Sequence, residues 1–132
     1  MLKATAVLTI LIMISSLCRA QEHGAVLRLE RDVIDFGAVE YNSVVTDSVK
    51  VCNDGDEPLV IKSVFTDCGC TVPSYSRNPI APGECGIIAV RFISRGRSPG
   101  SFRKAVRIRS NAIHHNKIMF VAGRIKNPAT NK

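Results

Sequence analysis

The sequence predicts an all-β protein with two packed sheets, and three observations carry that prediction. Beyond residue 20, no long stretch repeats apolar residues at positions i, i+3, i+4 and i+7, the spacing of an amphipathic helix. Short runs instead alternate apolar and polar side chains, and Gly, Pro, Asn and Asp separate them. About seven such runs in about 100 residues indicate an immunoglobulin-like β-sandwich of about seven antiparallel strands.

The runs differ in pattern along the chain. In the second strand, alternation places Val45, Val49 and Val51 on one face, and the turn composition of Asn53-Asp54-Gly55-Asp56 ends it. The third run is partly continuous, and the fourth is short and interrupted by proline, which favours a sheet edge. The fifth and sixth alternate most clearly. The predicted strands are residues 26–29 with 33–39 (one strand in two pieces), 44–52, 59–65, part of 71–82, 86–93, 102–108 and 119–125.

Residues 1–20 have the pattern of a secretory signal peptide. Lys3 precedes an apolar run over residues 4–17, and small residues at the end of the segment suit cleavage before Gln21. The run is too short for a membrane span, which needs about 20 residues. We therefore expect this segment to be removed on export.

The remaining chain, residues 21–132, is predicted to be a single domain, because its length leaves no room for a second one. Its ends, 21–25 and 127–132, are predicted to be mobile. No later apolar stretch is long enough to anchor the chain, so we expect an exported protein, periplasmic or extracellular, without a transmembrane segment. The alternative is a lipid anchor on Cys18, although the bulky Leu17 lies where that processing requires a small residue.

Charge is divided unevenly along the chain. Residues 21–67 hold ten acidic and four basic side chains, whereas residues 68–132 hold one acidic and twelve basic side chains. Such asymmetry usually indicates nucleic-acid binding, but an exported protein rarely meets nucleic acid, and two Tyr and five Phe offer no stacking platform. The charge therefore favours an anionic envelope polymer or an acidic envelope protein as partner. Alternatively, the two halves neutralise each other within the fold.

The sixth predicted strand carries a candidate anion-binding face. Its alternation places Arg103, Arg107 and Arg109 on one side and Val106 and Ile108 on the other. Three guanidinium groups on one exposed face would attract an anionic partner, and salt would screen that attraction. The alternative is a solvated strand without a ligand.

Several short motifs follow one another along the chain. In order they are Asp35-Phe36-Gly37, Asn53-x-Gly55, Pro58-Leu59-Val60-Ile61, Cys68-Gly69-Cys70-Thr71, Pro79-Ile80-Ala81-Pro82-Gly83-Glu84, Ser110-Asn111 and Gly123. This order resembles the bacterial secreted family called domain of unknown function 1573, over essentially the whole mature chain. The resemblance implies an immunoglobulin-like fold and a secreted or envelope protein of Gram-negative bacteria, and it carries no biochemical activity. The chain departs from the usual family pattern at Cys52 and Cys85.

Four cysteines remain after residues 1–20 are removed, and an oxidising compartment favours their pairing, for which three arrangements exist. In an immunoglobulin-like strand order, Cys52 ends the second strand and Cys85 opens the fifth, its antiparallel neighbour. Alternation points both side chains outward from the same sheet. We therefore predict a disulfide between Cys52 and Cys85, and the alternative is two free surface thiols.

Cys68-Gly69-Cys70 is the one segment with the potential for chemistry. Two thiols one residue apart can form a small disulfide, act as a redox pair or bind a soft metal such as Cu(I). Arginines in the loop 94–100, which the topology places at the same pole, would favour thiolate. The segment lacks the Cys-x-x-Cys spacing and the helix of disulfide oxidoreductases, so we predict a structural turn closed by its own disulfide.

A zinc site would need two ligands beyond a cysteine pair. His114 and His115 are adjacent, but the predicted topology places them at the opposite pole, nearer Cys52 and Cys85. A Cys2His2 site there requires that the predicted disulfide does not form. His23, close to the new N-terminus, receives no role.

The sequence therefore predicts a non-catalytic binding or assembly module of the bacterial envelope, without a cofactor. The chain has no Gly-x-Ser-x-Gly elbow, phosphate loop or paired-carboxylate motif, which argues against a hydrolase. The alternative function is thiol-redox activity or soft-metal binding through Cys68 and Cys70.

Overall fold

A computed structural model describes residues 3–4, 6–7 and 23–130 of the chain. The predicted cleavage site and Cys18 lie outside the described residues. Eight strands form within the described part, and a short 3-10 turn follows them. The elements are β1 Leu27–Leu29, β2 Val33–Val39, β3 Val44–Asn53, β4 Ile61–Thr66, β5 Thr71–Tyr75, β6 Cys85–Ile93, β7 Gly100–Ser110, β8 Asn116–Ile125 and the 3-10 turn Pro128–Thr130.

The strands form two four-stranded sheets packed face to face. The first sheet has the order β1-β3-β6-β5, and the second has the order β2-β8-β7-β4. The predicted β-sandwich is confirmed. The described residues form eight strands, against about seven predicted, and one neighbouring pair, β2 and β8, is parallel.

The additional strand arises where the first predicted strand breaks. The Glu30 amide still donates to the Lys50 carbonyl in the first sheet, at 3.0 Å, whereas the Asp32 carbonyl accepts from the Phe120 amide in the second sheet, at 2.9 Å. The chain thus crosses between the sheets at three consecutive charged residues. Charged side chains cost more free energy to bury than to leave in water, so this segment stays at the surface. The two pieces are therefore separate strands on opposite layers.

Apolar side chains from both sheets meet between the layers. Val49 and Val51 face inward from β3, as the alternation predicts, and they are at most 1% exposed. A smaller cluster of Val39, Cys70, Phe92 and Ile125 closes one end of the sandwich. The largest fully buried side chains are Phe92, Ile34, Leu59, Ile88, Ile108 and Met119.

The turn after β3 is built around the buried side chain of Asn53. Its Oδ1 accepts from the amides of Gly55 (2.9 Å) and Val26 (3.3 Å), and its Nδ2 donates to the carbonyls of Glu57 (2.6 Å) and Ile80 (2.9 Å). One side chain therefore ties three segments of backbone together, and a buried amide with this many partners costs little to desolvate.

The segment before β1 packs against that turn. The Asp56 amide donates to the Gly24 carbonyl at 3.0 Å, and the Ile113 amide donates to the Ala25 carbonyl at 2.9 Å. Ala25 is 2% exposed. Gly24 and Ala25, which belong to the end predicted to be mobile, therefore have backbone groups that are hydrogen-bonded within the fold.

Candidate functional site

The outer face of the second sheet carries an arginine row along β7. Arg103, Arg107 and Arg109 are exposed, whereas Val106 and Ile108 between them are buried in the core. The alternation of the strand thus puts the three guanidinium groups on one side. Arg124 of β8 joins them, since its partner Ser101 lies on the same side of β7 as Arg103.

Apolar side chains lie beside the arginines. Arg107 has Phe65 of β4 as its neighbour on one side and Ile118 of β8 on the other. Phe65 and Ile118 are 40% and 44% exposed. The Arg103 guanidinium carbon lies 4.1 Å from the centroid of the Phe120 ring, a cation–π contact. We call this surface, made of these five residues with Arg109 and Arg124, the basic face.

Sequence reasoning missed the apolar part of the basic face. Strict alternation from Ile61 would turn Phe65 into the core. The register of β4 against β7 shifts between Ile61 and Ser63, and after that irregularity Val64 faces inward. Phe65 is therefore turned to solvent. The only signal in the sequence is the three-residue spacing between Ile61 and Val64.

The charges of the basic face are only partly neutralised. Arg107 lies 3.7 Å from Asp67, and both side chains are exposed. No ion pair to Arg103, Arg109 or Arg124 forms among residues 23–130. A shallow groove of about 400 Å³ runs beside Arg107 and Arg109 and is also lined by Phe65 and Ile118.

The acidic and basic halves of the chain do meet elsewhere. Lys117 pairs with Asp32 at 3.1 Å, and Lys126 pairs with Glu40. The two halves of the chain therefore neutralise each other in part, but neither of these pairs involves an arginine of the basic face.

Cys52 and Cys85 are joined by a disulfide in the structure. They are direct partners in the ladder between β3 and β6, on the outer face of the first sheet. Cys85 is exposed, but Cys52 is only 6% exposed. The cause is β1, which adds to the edge of β3 and sets Arg28 beside Cys52.

Cys68 and Cys70 are also joined by a disulfide. Cys70 is 2% exposed and packs with Phe92 in the smaller core cluster, while Cys68 is half-buried. The Cys70 carbonyl accepts from the Ile93 amide at 2.8 Å, so the segment is part of the sheet as well as covalently closed. The same bond places the loop after Ile93 at this end of the sandwich.

The histidines lie at the opposite end. His114 follows Ile113, whose amide bonds to the segment before β1. In the part of the chain that the structure describes, no group of three or more His, Cys, Asp or Glu side chains is arranged to hold a metal ion. The sulfurs of Cys52 and Cys85 are in a disulfide, so they are not zinc ligands there.

His23, given no role from the sequence, has a defined partner. Its Nδ1 lies 2.6 Å from Oδ2 of Asp56, and both side chains are exposed. The hydrogen bond to Asp56, together with the charge of that carboxylate, raises the pKa of His23. The same hydrogen bond lowers the pKa of Asp56, and the Gly24 amide, 2.7 Å from Oδ1, adds to this effect.

Residues 27–125 match the family described as "Protein of unknown function (DUF1573)". The chain belongs to the DUF1573 family. The resemblance carried by the motifs is thereby confirmed at the level of the family. No curated protein matches this DUF1573 chain. Among its described residues, no helix is both long and apolar enough to cross a membrane.

Three solved structures similar to this DUF1573 domain show the fold alone, because each of them is less than 25% identical to it. A protein of unknown function from Porphyromonas gingivalis W83 superposes with a TM-score of 0.67 at 16% identity, covering 81% of this chain and 50% of that one. This chain therefore spans half the length of that protein. The ASH/PapD-like domain 7 of human CEP192 gives a TM-score of 0.58 at 10% identity, covering 76% and 85%. The VesB protease of Vibrio cholerae superposes with a TM-score of 0.59 at 12% identity, covering 76% of this chain and 32% of that one.

Proposed function

We propose that this chain is an exported, non-catalytic docking module of the bacterial envelope, and that its basic face binds an acidic protein. The observation that carries the proposal is the row formed by Phe65, Arg107 and Ile118 across three strands. Each of these side chains is held outward by a rigid sheet, and no other part of residues 23–130 packs over them to bury them. Two disulfides agree with an oxidising compartment.

The arginines of the basic face favour a partner with negative charge. Arg107 and Arg109 are two residues apart on one strand, so their positions are separated by about 7 Å. A partner in extended conformation that carries a carboxylate at every second residue has the same repeat. Guanidinium groups pair with carboxylates through two parallel hydrogen bonds, which favours such a geometry.

The apolar side chains next to the arginines favour an acidic protein over an anionic polymer as the partner. A polyanion without apolar groups would leave Phe65 and Ile118 in water, whereas an acidic protein with apolar side chains would bury them. Burial of apolar surface contributes about 25 cal/mol per Å², so these two side chains add to the affinity of a protein partner only. The mixture of aromatic residues and arginine is typical of the centre of protein interfaces.

The alternative of thiol chemistry at Cys68 and Cys70 receives less support. A thiolate nucleophile needs solvent access, and Cys70 is buried against Phe92. The neighbouring carbonyl is also engaged by the Ile93 amide. These contacts are those of a structural turn.

The binding test compares two synthetic probes of equal charge. One is a peptide that alternates Glu and Leu, and the other is poly-glutamate. We expect the mature protein to bind the alternating peptide more tightly, and both affinities to fall as salt rises. The variant R103E/R107E/R109E should lose binding to both probes.

The control for that variant reverses three charges elsewhere. Lys50, Arg91 and Arg97 are exposed, and none of them lies on the basic face. The variant K50E/R91E/R97E therefore has the same net charge as the face variant, and it should retain binding. Equal losses in the two variants would show attraction by net charge alone, and retained binding in the face variant would overturn the proposal.

A further inference from the structure

A lysine lies on the core side of β8. Alternation places Lys117, Met119 and Val121 on one face of the strand, and Met119 and Val121 are fully buried. Lys117 is also the direct ladder partner of the buried Ile108, which faces the core from β7. The Lys117 side chain is 40% exposed, and its amine lies 3.1 Å from Asp32 Oδ1. This amine is therefore at the surface, at the end of a side chain that starts from a core-facing position.

A cavity of about 300 Å³ adjoins this lysine. One wall comes from the segment that enters β1 of the first sheet, and the other comes from the turn between β7 and β8 and the start of β8. The described residues that line the cavity are Val26, Leu27, Ala112, Ile113, His114 and Lys117. Four of these are apolar, two carry nitrogen donors, and none of them is acidic. The lining is therefore apolar, with basic groups and no carboxylate to oppose an anion.

Hydrogen bonds hold both walls of the cavity in place. The Ile113 amide donates to the Ala25 carbonyl at 2.9 Å and ties one wall to the other. The amide of Val26 donates to the buried Asn53 side chain. On the opposite wall, the Asn111 side chain accepts from one backbone amide of the segment before β4 at 2.7 Å and donates to a carbonyl of that segment at 2.9 Å. The cavity is therefore preformed, and a ligand does not have to order its walls.

We propose that this cavity binds a small aliphatic carboxylate, with its hydrocarbon chain between the apolar walls and its carboxylate at the amine of Lys117. The volume is at the lower end of the range for ligand sites, which begins at about 300 Å³. At about 30 Å³ for each water-sized group, the cavity holds about ten non-hydrogen atoms, as many as octanoate contains. This role goes beyond docking through the basic face and does not depend on it.

The ligand carboxylate would replace Asp32 as the partner of Lys117. The Asp32 side chain is 66% exposed, so it returns to water when the ligand takes its place. Ion pairs between exposed side chains contribute little to stability, and the exchange therefore costs little. His114 lines the same cavity and carries a ring N–H that can donate to the second carboxylate oxygen. The charge of the ligand is thus matched by the nitrogen donors of the lining.

The experiment titrates the purified protein with straight-chain carboxylates from butyrate to dodecanoate, below the concentrations at which they form micelles. Backbone amide NMR signals of Val26, Leu27 and Ile113 should shift. Affinity should rise about fourfold for each added methylene, because each one is buried between the walls. The rise should stop near octanoate, since the cavity is then full and further carbons remain in water. Octylammonium has the same apolar chain and the opposite charge, and it should bind much more weakly.

Two lysine variants test the position of the carboxylate. K117Q should bind octanoate about tenfold more weakly, because a charge-assisted hydrogen bond is lost, and should bind octanol as the wild type does. K126Q is the matched control. Lys126 also pairs with an acidic residue, Glu40, and its side chain is 41% exposed, but it lies beyond the other end of β8, about 30 Å along the strand. K126Q should therefore retain octanoate binding.

A third variant tests the cavity itself. Ala112 is 1% exposed and lines the cavity, so a leucine there occupies part of the space. A112L should reach its highest affinity at a shorter carboxylate than the wild type does. Thermal unfolding shows whether A112L is folded, and the chain-length series and K117Q decide the matter without it if it is not.

Several results would overturn the proposal. Affinity that continues to rise beyond octanoate would indicate adsorption of an amphiphile to the surface. Unchanged binding in K117Q, or equal losses in K117Q and K126Q, would remove the specific role of Lys117. Lys117 also borders the shallow groove of the basic face, so shifts confined to Phe65 and Ile118 would place the ligand there instead. R103E/R107E/R109E should bind octanoate as well as K50E/R91E/R97E, which has the same net charge, so failure of peptide binding and failure of octanoate binding are distinguishable.

Discussion

Cys52 and Cys85 face each other across the two central strands of the first sheet, with their Cα atoms 4.0 Å apart. Directly beyond this last pair of the ladder, the Asn53 amide donates to the Glu84 carbonyl at 2.9 Å. The disulfide therefore lies one residue from the buried Asn53 that organises the following turn. The disulfide and the hydrogen bonds of the Asn53 side chain therefore stabilise the same corner of the sandwich.

Removing this disulfide should lower the free energy of unfolding. The two cysteines are 33 residues apart in sequence, and a closed loop of that size stabilises by about 2–4 kcal/mol through loss of entropy in the unfolded chain. The double variant C52S/C85S is compared with the wild type by denaturant unfolding. Non-reducing peptide mapping of the wild type should recover Cys52 linked to Cys85, and a link from Cys52 to Cys68 or Cys70 would refute the pairing.

The second disulfide should matter far less to the whole fold. Cys68 and Cys70 are two residues apart, so their bridge closes almost no loop in the unfolded chain. C68S/C70S should remain folded and exported, with a loss of about 1 kcal/mol from the polar group placed beside Phe92. Thermal unfolding measures this loss. A stoichiometric metal in the wild type that disappears in this variant would instead support the soft-metal alternative.

Much of the fold can be predicted from the sequence because side chains along each strand face the core and the solvent in alternation. Val49, Val51, Val106 and Ile108 face inward as a period of two requires, and Arg107 faces outward for the same reason. The family resemblance agrees with this pattern. Periodicity reports which side of a strand is buried, and this is sufficient to find the arginine row.

Periodicity does not report which sheet a strand joins. Residues 27–29 and 33–39 have similar patterns, yet they pair with β3 and β8 in different layers. The irregularity after Ile61 likewise reverses the direction of Phe65 and so creates the apolar part of the basic face. Both features depend on neighbours that are distant in sequence, and a local pattern contains no information on them.

Gly55 should be intolerant of any side chain. A Cβ atom there would lie 2.1 Å from the Gly24 carbonyl oxygen and 2.6 Å from the Val26 nitrogen, both backbone atoms that cannot rotate away. We expect G55A to lower the free energy of unfolding by about 3 kcal/mol, because the segment before β1 must move away from the turn. Chemical denaturation provides the measurement.

Gly69 offers a matched control for that substitution. A Cβ atom at Gly69 would meet nothing within 4 Å. The free energy of unfolding of G69A should therefore lie within about 0.5 kcal/mol of the wild-type value. Similar losses in G55A and G69A would contradict the assignment of the cost to the close approach at Gly24.

The exposed pair of His23 and Asp56 should make a small, pH-dependent contribution to stability. His23 has a raised pKa, so its contribution is complete below its ordinary value of 6.5 and is lost as the pH rises through the raised value. Asp56 has a lowered pKa, so its contribution is complete above its ordinary value of 3.8 and is lost as the pH falls through the lowered value. The difference in Tm between wild type and H23A should be largest between these two ordinary values and shrink on both sides. Thermal scans measure this difference, with H115A as a histidine control at an exposed position of the turn between β7 and β8. A difference that stays constant from acid to alkaline pH would mean that His23 acts through packing, and the ion pair would then contribute nothing to the fold.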